Sequence, residues 1–525
     1  MVQFLSMRFP TTPSRFVFAV LVLSVAAFAA SLRAAAVPAL AEDRSFAVVV
    51  YNVENLHDLD GVAVYDDYQP ANYTPEHLRV KAANIATVLA RVDKGAGPAV
   101  VAFNEIELDQ TPASTVTDLN AWLDSVADRS LAELTAAAAS DPKLAGLPAE
   151  AWLLKACAEA GLTGYHVATT DERPGSHEDG RGVAIRNLLF SRFPITATRS
   201  HATEGARAIL EVTLDVDGHP FTVFVNHWKS GAGDVALEEI RRGNARVLRA
   251  RLDELTKAEA NADFIITGDL NSHYNQKQRY RDMRTTGIND ILGSQGNELA
   301  VRGRDRDLYN LWFELPSDQR GSDTYRGEWG TLMHLIIGRG LYDQNGVQYI
   351  DNSFAVMKFP GLNANSLGLP NRWSRGRVPG GFSDHFPIYA RFRVVGEGPK
   401  DKWIPLTRPS ETAEGSGTPV SVEVSAVELF ATAVKYNELP KGTDIRDGTY
   451  TGRIFYIDAP THVNEQGHVK VTLDGTVYDV FSHQRELRDD LRNRVRRGDK
   501  IKFYGELGQY RGNWQFVLQG KEWLK

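Results

Sequence analysis

The stretch Phe264-Ile265-Ile266-Thr267-Gly268-Asp269-Leu270-Asn271 decides the fold. A short apolar, β-branched run stops at a glycine, and an acid and an amide follow, two residues apart. The run reads as a buried strand, and Gly268 as the point where the chain leaves the sheet. Residues two apart in extended backbone project to one side. Asp269 and Asn271 therefore face whatever lies beyond the strand end. The pattern recurs: the apolar run 46–51 ends in Asn52, the run 99–103 in Asn104 and Glu105, and the run 221–225 in Asn226 and His227. Four buried strands that each finish on metal-binding or proton-active groups make a polar rim. Such rims, outside strand ends, are where sheet-based enzymes place ligands.

Working outward, Thr74-Pro75-Glu76 opens a helix, with a capping hydroxyl, proline at the first helical position and an acid in the first turn. Leu78, Ala82, Ile85, Leu89 and Val92 form its apolar stripe. Strand, helix and strand make an α/β unit. Residues 112–162 are rich in Ala and Leu, with Pro142 and Pro148 as breaks, and predict two or three short inserted helices without chemistry. Strands follow at 182–189 and 208–216. A helix at 235–255 carries Arg241, Arg242, Arg246, Arg249 and Arg251 on a face that reads as solvated. Beyond Asn271 the chain is loop-rich. An apolar strand at 332–337 is interrupted by His334, and a loop holding Arg372 and Trp373 reads equally as a substrate-side loop or as packing. It runs to Ser383-Asp384-His385-Phe386-Pro387, and a strand at 388–394 closes this unit.

Gly, Pro, Ser, Lys and Glu dominate from 396 to about 420, the composition of a linker. The remainder reads as strands at 450–457, 468–473 and 477–481, a helix at 485–495, and strands at 500–506 and 514–518. Three strands, a helix and two strands match a small five-stranded barrel of the OB type. Tyr450, Phe455, Tyr456, Phe503, Tyr504, Tyr510 and Trp514 interleave with Arg453, Lys500, Lys502 and Arg511. Aromatics beside cations are what single-strand nucleic-acid binders use, although the period-two pattern sends about half of them inside.

The chain has 525 residues, too many for one ordinary core. Its 43% hydrophobic and 24% charged residues are those of a globular protein. A net charge of -7 argues against non-specific coating of nucleic acid but leaves room for a locally positive site. Cys157 is the only cysteine, which excludes an intrachain disulfide and a cysteine metal cluster. At the N-terminus, Arg8 and Arg15 precede the apolar run 16–30, and Ala39-Leu40-Ala41 has a small-x-small pattern. That reads as a signal peptide cleaved near Ala41, and predicts a secreted or periplasmic protein without stable membrane association. The expected organisation is a signal peptide at 1–41, a catalytic domain at 42–395, a linker at 396–420 and an OB-like domain at 421–525.

Hard cations such as Mg²⁺ take oxygen ligands, usually one or two carboxylates plus substrate phosphate. Glu105, Asp269, Asn271 and Asp384 supply oxygens, and His227 and His385 supply proton-active groups. Acid, amide and His, without a Ser-His-Asp pattern, point to metal-assisted attack of water on phosphorus. His273, with His177 and His219, reads as a plain surface residue.

Tyr51-Asn52-Val53-Glu54-Asn55-Leu56, Asn104-Glu105-Ile106-Glu107, Val225-Asn226-His227-Trp228-Lys229-Ser230, Gly268-Asp269-Leu270-Asn271 and Ser383-Asp384-His385-Phe386-Pro387 occur in an order that resembles the endonuclease/exonuclease/phosphatase superfamily. The resemblance covers about residues 45–394. It implies a four-layer α/β sandwich of two mainly antiparallel or mixed sheets flanked by helices, and a phosphodiesterase, foremost a nuclease acting on DNA or RNA. A phosphatase or phospholipid-headgroup hydrolase and a non-catalytic phosphate- or nucleic-acid-binding protein are the alternatives. By match, Glu105 is the principal metal ligand, with Asn52, Glu54 and Asp384 beside it. Asp269 orients or activates water, Asn271 contacts phosphate or metal, and His227 and His385 are catalytic. Asn226 and Arg207 fall on the substrate side, Arg207 with an ordinary surface arginine as its alternative. The cation implied is Mg²⁺, with Mn²⁺ or Ca²⁺ as alternatives. One departure stands out. Thr331-Leu332-Met333-His334-Leu335 holds a methionine where family members carry the acid that orients the terminal His. Asp323, Glu328 and Asp351 are the nearby acids able to substitute.

Overall fold

The computed structural model describes residues 45–525 except 112–115, 117, 175–182, 304–305, 326, 366, 374–378, 408–429, 431–432, 447–449, 451, 483 and 511. The expected signal peptide, part of the expected linker, His177 and Arg511 lie outside them.

Two seven-stranded mixed sheets form the larger part. The first runs β14 (Gly346–Tyr349), β16 (Ile388–Gly396), β1 (Ser45–Leu56), β2 (Val100–Glu107), β4 (Ile185–Ser191), β3 (His166–Thr169), with β15 (Ala355–Val356) also on β16. The second runs β5 (Ile195–His201), β6 (Ile209–Val216), β7 (His219–His227), β8 (Phe264–Asp269), β13 (Met333–Ile337), β10 (Leu308–Asn310), β9 (Ser294–Gln295). Each has an antiparallel majority around a central parallel pair, β1 with β2 and β7 with β8, and the second sheet has a further parallel pair, β9 with β10, at its edge.

The layers follow from side-chain alternation. On β1, Phe46, Val48 and Val50 join Val223, Ile265 and Leu335 in a core between the sheets. Ala47, Val49 and Tyr51 point the other way, onto helices Pro75–Leu89 and Ala149–Glu159. On the far side, Phe224, Phe264 and Ile266 pack against Leu248 and Leu252 of helix Val235–Ala258. Both sheets are thus covered on both faces, which is why their central strands read as unbroken apolar runs. The described residues of the inserted segment form four helices, Leu119–Ser125, Leu131–Ala138, Pro142–Ala145 and Ala149–Glu159. Pro142 opens a helix capped by Asp141 instead of breaking one.

Helix Val235–Ala258 corrects the reading of its arginines. Arg241 is fully buried, bonded to Glu238 at 2.8 Å and to the carbonyls of Lys229 and Gly231 at 3.1 and 3.0 Å. Arg249 is buried too, and Arg251 pairs with Glu211 at 2.9 Å. Long stems pack while their heads find carbonyls and acids, so only Arg242 and Arg246 of the five resemble a solvated face.

The C-terminal part is a third sheet over its own core. Its order is β17 (Val434–Lys435), β18 (Ile454–Asp458), β22 (Lys502–Tyr510), β23 (Asn513–Val517), β21 (Thr476–Phe481), β20 (Val469–Leu473), β19 (Thr461–Val463). Helix Arg485–Arg496 sets Leu487 and Leu491 on Phe455, Phe503 and Phe516. Among the described residues the end strands β17 and β19 do not pair, so the seven strands form one open sheet and do not bear out the expected OB-type barrel. Ala459-Pro460 divides β18 from β19, since proline has no N–H to give a ladder. Tyr504 is not free to stack a base: Phe430 covers it at 3.9 Å and Lys525 sits 5.5 Å from its ring. No described helix is long and apolar enough to cross a membrane.

Candidate active site

The central strands of both sheets end on one rim. Parallel register sets Asn52 beside Asn104, and His227 beside Asp269. The backbone is forced where the rim begins. Gly268 has φ 112°, and a Cβ there would lie 2.0 Å from the Asn226 carbonyl oxygen, so only glycine lets β7 and β8 approach before Asp269. Glu105 and Asn271 adopt left-handed conformations, φ 65° and 46°. The ladders of β1 with β2 and of β2 with β4 both slip here, between Asn52 and Leu56 and between Phe103 and Ile106. Such irregularities re-aim side chains beside active sites.

Asn52 donates its amide to Glu105 Oε1 at 3.0 Å and to Asp269 Oδ2 at 3.2 Å. His227 Nε2 lies 3.8 Å from Glu105 Oε1 and 3.9 Å from Asp269 Oδ2. His385 Nε2 lies 3.8 Å from Asp269 Oδ2 and 3.8 Å from Asp384 Oδ1. Asp269 is anchored from behind, its N–H donating to Asn104 Oδ1 at 2.9 Å and its Oδ1 accepting from Asn271 N–H at 2.8 Å.

The charges are set by burial and crowding. Burial, then Asp384, pushes Glu105 up to about 7, against the hydrogen bond from Asn52. Burial likewise raises Asp269, against His385 and its hydrogen bonds. Burial, with Arg207 and His385 nearby, holds His227 well below the usual histidine range and therefore neutral. His385 behaves in the opposite way. Burial alone lowers it, but Asp384, Asp269, Asp323 and Glu105 outweigh that and lift it to about 9. One ligand atom each from Glu105, Asp269 and His227 lies within 4.8 Å of the others. Two crowded carboxylates whose ionisation is suppressed for want of counter-charge fit a hard divalent cation.

Seven of the ten expected residues line one open cleft of about 1750 Å³: Glu105, Arg207, His227, Asp269, Asn271, Asp384 and His385. The other three stand behind it. Asn226 is fully buried, its amide nitrogen given to the carbonyls of Phe224 and Thr267 and its Oδ1 taken by Trp228 Nε1 at 3.0 Å. It props the rim and is out of a substrate's reach. Asn52 turns its amide nitrogen to the carboxylates, and Glu54 N–H occupies its Oδ1 at 3.0 Å. In this arrangement its amide nitrogen orients Glu105 and Asp269. Glu54, in a left-handed conformation, is buried against Trp373 N–H at 2.8 Å and Arg372 at 3.3 Å, away from Glu105. Arg372 also reaches Asp384 at 3.2 Å and lines the cleft. His273 is buried, accepting from Thr331 N–H at 3.1 Å, and is no surface residue.

Sequence reasoning missed the layer between the sheets. Asn104 donates to Asn187 Oδ1 at 2.7 Å and to the Asn226 carbonyl at 2.9 Å, and Asn187 donates on to the carbonyls of Ala208 and Val225. The available signal was an amide inside or ending an apolar strand, where a polar group must be paired.

Fold and site together define a metal-dependent phosphoric-ester hydrolase. Residues 181–394 match the model described as the Endonuclease/Exonuclease/phosphatase family. The match spans His227, Asp269, Asn271, Asp384 and His385. No curated protein matches the sequence. Among solved structures, an endonuclease/exonuclease/phosphatase from Beutenbergia cavernae is 16% identical over 68% of this chain and 73% of its own, with a TM-score of 0.38. The human Nocturnin catalytic domain with bound sulfate is 14% identical over 67% and 94%, with a TM-score of 0.36. D. rerio TDP2 complexed with a single-strand DNA product is 13% identical over 67% and 99%, with a TM-score of 0.35.

Proposed function

We propose that this protein is an exported phosphodiesterase that hydrolyses nucleic acid with a divalent cation, foremost Mg²⁺. The observation that carries this reading is the convergence of Glu105, Asp269 and His227, with His385 reaching the same Asp269 oxygen as His227. Glu105 and Asp384 would hold the cation, which when bound would supply a Lewis acid at a phosphate oxygen. Asp269, raised by burial, accepts a proton from the attacking water or orients it. His385, protonated at neutral pH, gives a hydrogen bond or a proton to an oxygen of the phosphate. Neutral His227 and the Asn271 amide hold that phosphate in place, with Arg207 beside them in the cleft.

The cleft is far larger than one phosphate, and Tyr65 and Tyr325 are exposed on its rim, which suits a diester with bases on either side. A second reading, a small phosphoester as substrate, draws on Asp66, Asp67, Asp234 and Glu328, which also line the cleft and repel a long polyanion. Export rests on the N-terminal pattern alone. The OB-type reading of the third sheet rests on β18 and β19, the two halves of residues 454–463, which pair with opposite ends of the strand order. Its single-strand binding would fall to Tyr456 and Trp514, half-buried on that sheet.

The test is turnover of plasmid DNA, RNA, bis(p-nitrophenyl) phosphate and p-nitrophenyl phosphate with Mg²⁺, Mn²⁺, Ca²⁺ or EDTA, beside an Asp269→Ala variant. Metal-dependent cleavage of nucleic acid that the variant lacks is expected. Release from the small esters alone would favour the second reading.

A further inference from the structure

The two ring nitrogens of His385 have different surroundings. Nε2 faces the cleft acids, whereas Nδ1 is buried and has no hydrogen-bond partner among the described residues. A histidine that must present Nε2 to a substrate needs its other nitrogen held, because that bond sets tautomer and ring orientation.

A carboxylate stands next to it. Asp323 opens β11 (Asp323–Tyr325), which pairs with β12 (Glu328–Gly330). Its backbone forms an isolated antiparallel bridge with His385 itself, and Phe386 N–H donates to the Ser322 carbonyl at 2.6 Å. The Asp323 side chain is buried, and its Oδ1 accepts from Leu332 N–H at 3.3 Å. Leu332 directly precedes Met333, which lies opposite Asp269 in the β8 ladder and offers no acid. The space beside Asp323 is kept by a glycine: a Cβ on Gly330 would lie 1.9 Å from Asp323 Oδ2. Gly330 is outside the left-handed region, so its backbone does not itself demand glycine. Among the described residues Asp323 pairs with no arginine or lysine, and His385 is the cationic group that acts on it most. The other two acids are excluded by place. Glu328 is exposed and pairs with Arg279 at 3.1 Å, and Asp351 lies with Glu298 and Glu314.

We propose that Asp323 is the positioning residue of His385, its carboxylate taking Nδ1–H when substrate fills the cleft and so aiming Nε2 at the phosphate. Catalytic hydrogen bonds are commonly long without substrate and tighten with it. The proposal rests on the phosphodiesterase reading above.

The full chain is tested as Asp323→Asn, Gly330→Ala and the double variant. Asp323→Asn keeps the volume and the acceptor for Leu332 N–H. It is expected to lower kcat on bis(p-nitrophenyl) phosphate by about 10–100-fold, with KM changed less than about twofold. Gly330→Ala, which displaces the carboxylate, is expected to lower kcat similarly, and the double variant to lose little more than either single one. If Asp323→Asn fails to fold, Gly330→Ala carries the kinetic test. Long-range ¹H–¹⁵N spectra of the His385 ring give a readout that needs no turnover. The wild type is expected to show a strongly hydrogen-bonded Nδ1–H with a phosphate analogue bound, and Asp323→Asn to lose that bond. A kcat within about threefold of wild type, or an unchanged ring spectrum, overturns the proposal. A wild type inert on every ester would overturn the phosphodiesterase reading instead, leaving the spectra to decide on Asp323.

Discussion

Replacing Asn104 with leucine removes the group that ties Asp269 to both sheets while filling nearly the same volume. Asn104 is fully buried and makes three hydrogen bonds: it accepts from Asp269 N–H at 2.9 Å and donates to Asn187 Oδ1 at 2.7 Å and to the Asn226 carbonyl at 2.9 Å. Leucine leaves all three partners buried and unpaired. An orphaned buried group costs about 1–3 kcal/mol. Asn187 keeps its bonds to the Ala208 and Val225 carbonyls, so the lower part of that range applies and the total is about 3–5 kcal/mol. A domain holding about 5–15 kcal/mol survives such a loss weakened. Asp269 loses its backbone anchor at the same time, and kcat is expected to fall by about 10-fold or more. Urea unfolding followed by tryptophan fluorescence in EDTA measures the first quantity, and turnover of bis(p-nitrophenyl) phosphate at saturating cation the second. A destabilisation under about 1 kcal/mol, with kcat unchanged, would refute the view that this amide chain holds the site.

Cation affinity measured by calorimetry should fall about tenfold per pH unit below 7 and level off above it, because the proton that Glu105 holds up to about 7 must leave before a cation binds. Glu105→Gln should remove both the binding and its pH dependence, and a pH-independent affinity between 5 and 8 would contradict the assignment. Gly268→Ala should cost about 3 kcal/mol or more, since its methyl meets the Asn226 backbone at 2.0 Å in a conformation alanine avoids. An unchanged urea midpoint would argue against that close approach. Cys157 is fully buried and its thiol is pushed up to about 12 by burial. It should stay inert to a thiol reagent in the native protein and react once the chain unfolds; fast labelling of native protein would show the helix around it to be open.

What the sequence determined by itself was local. Apolar runs ending at Gly268 or at an amide marked the central strands and their polar ends. Thr74-Pro75-Glu76 and the stripe behind it marked a helix now seen at Pro75–Leu89. These signals depend on neighbours a few residues away, so they survive without knowledge of what packs where. What only the tertiary structure decided was which side of each strand end meets the cleft. Asn226 and His227 are adjacent, and pairing register sends one into the core and the other to the rim. A left-handed turn carries Glu54 behind Asn52, and burial converts Arg241 from a surface charge into a clamp on carbonyls. Met333 alone predicts a histidine without a partner; the bridge between β11 and His385 brings Asp323 there across 62 residues of chain. Such contacts join segments distant in sequence, and their energy lies in packing and burial, which no local pattern encodes.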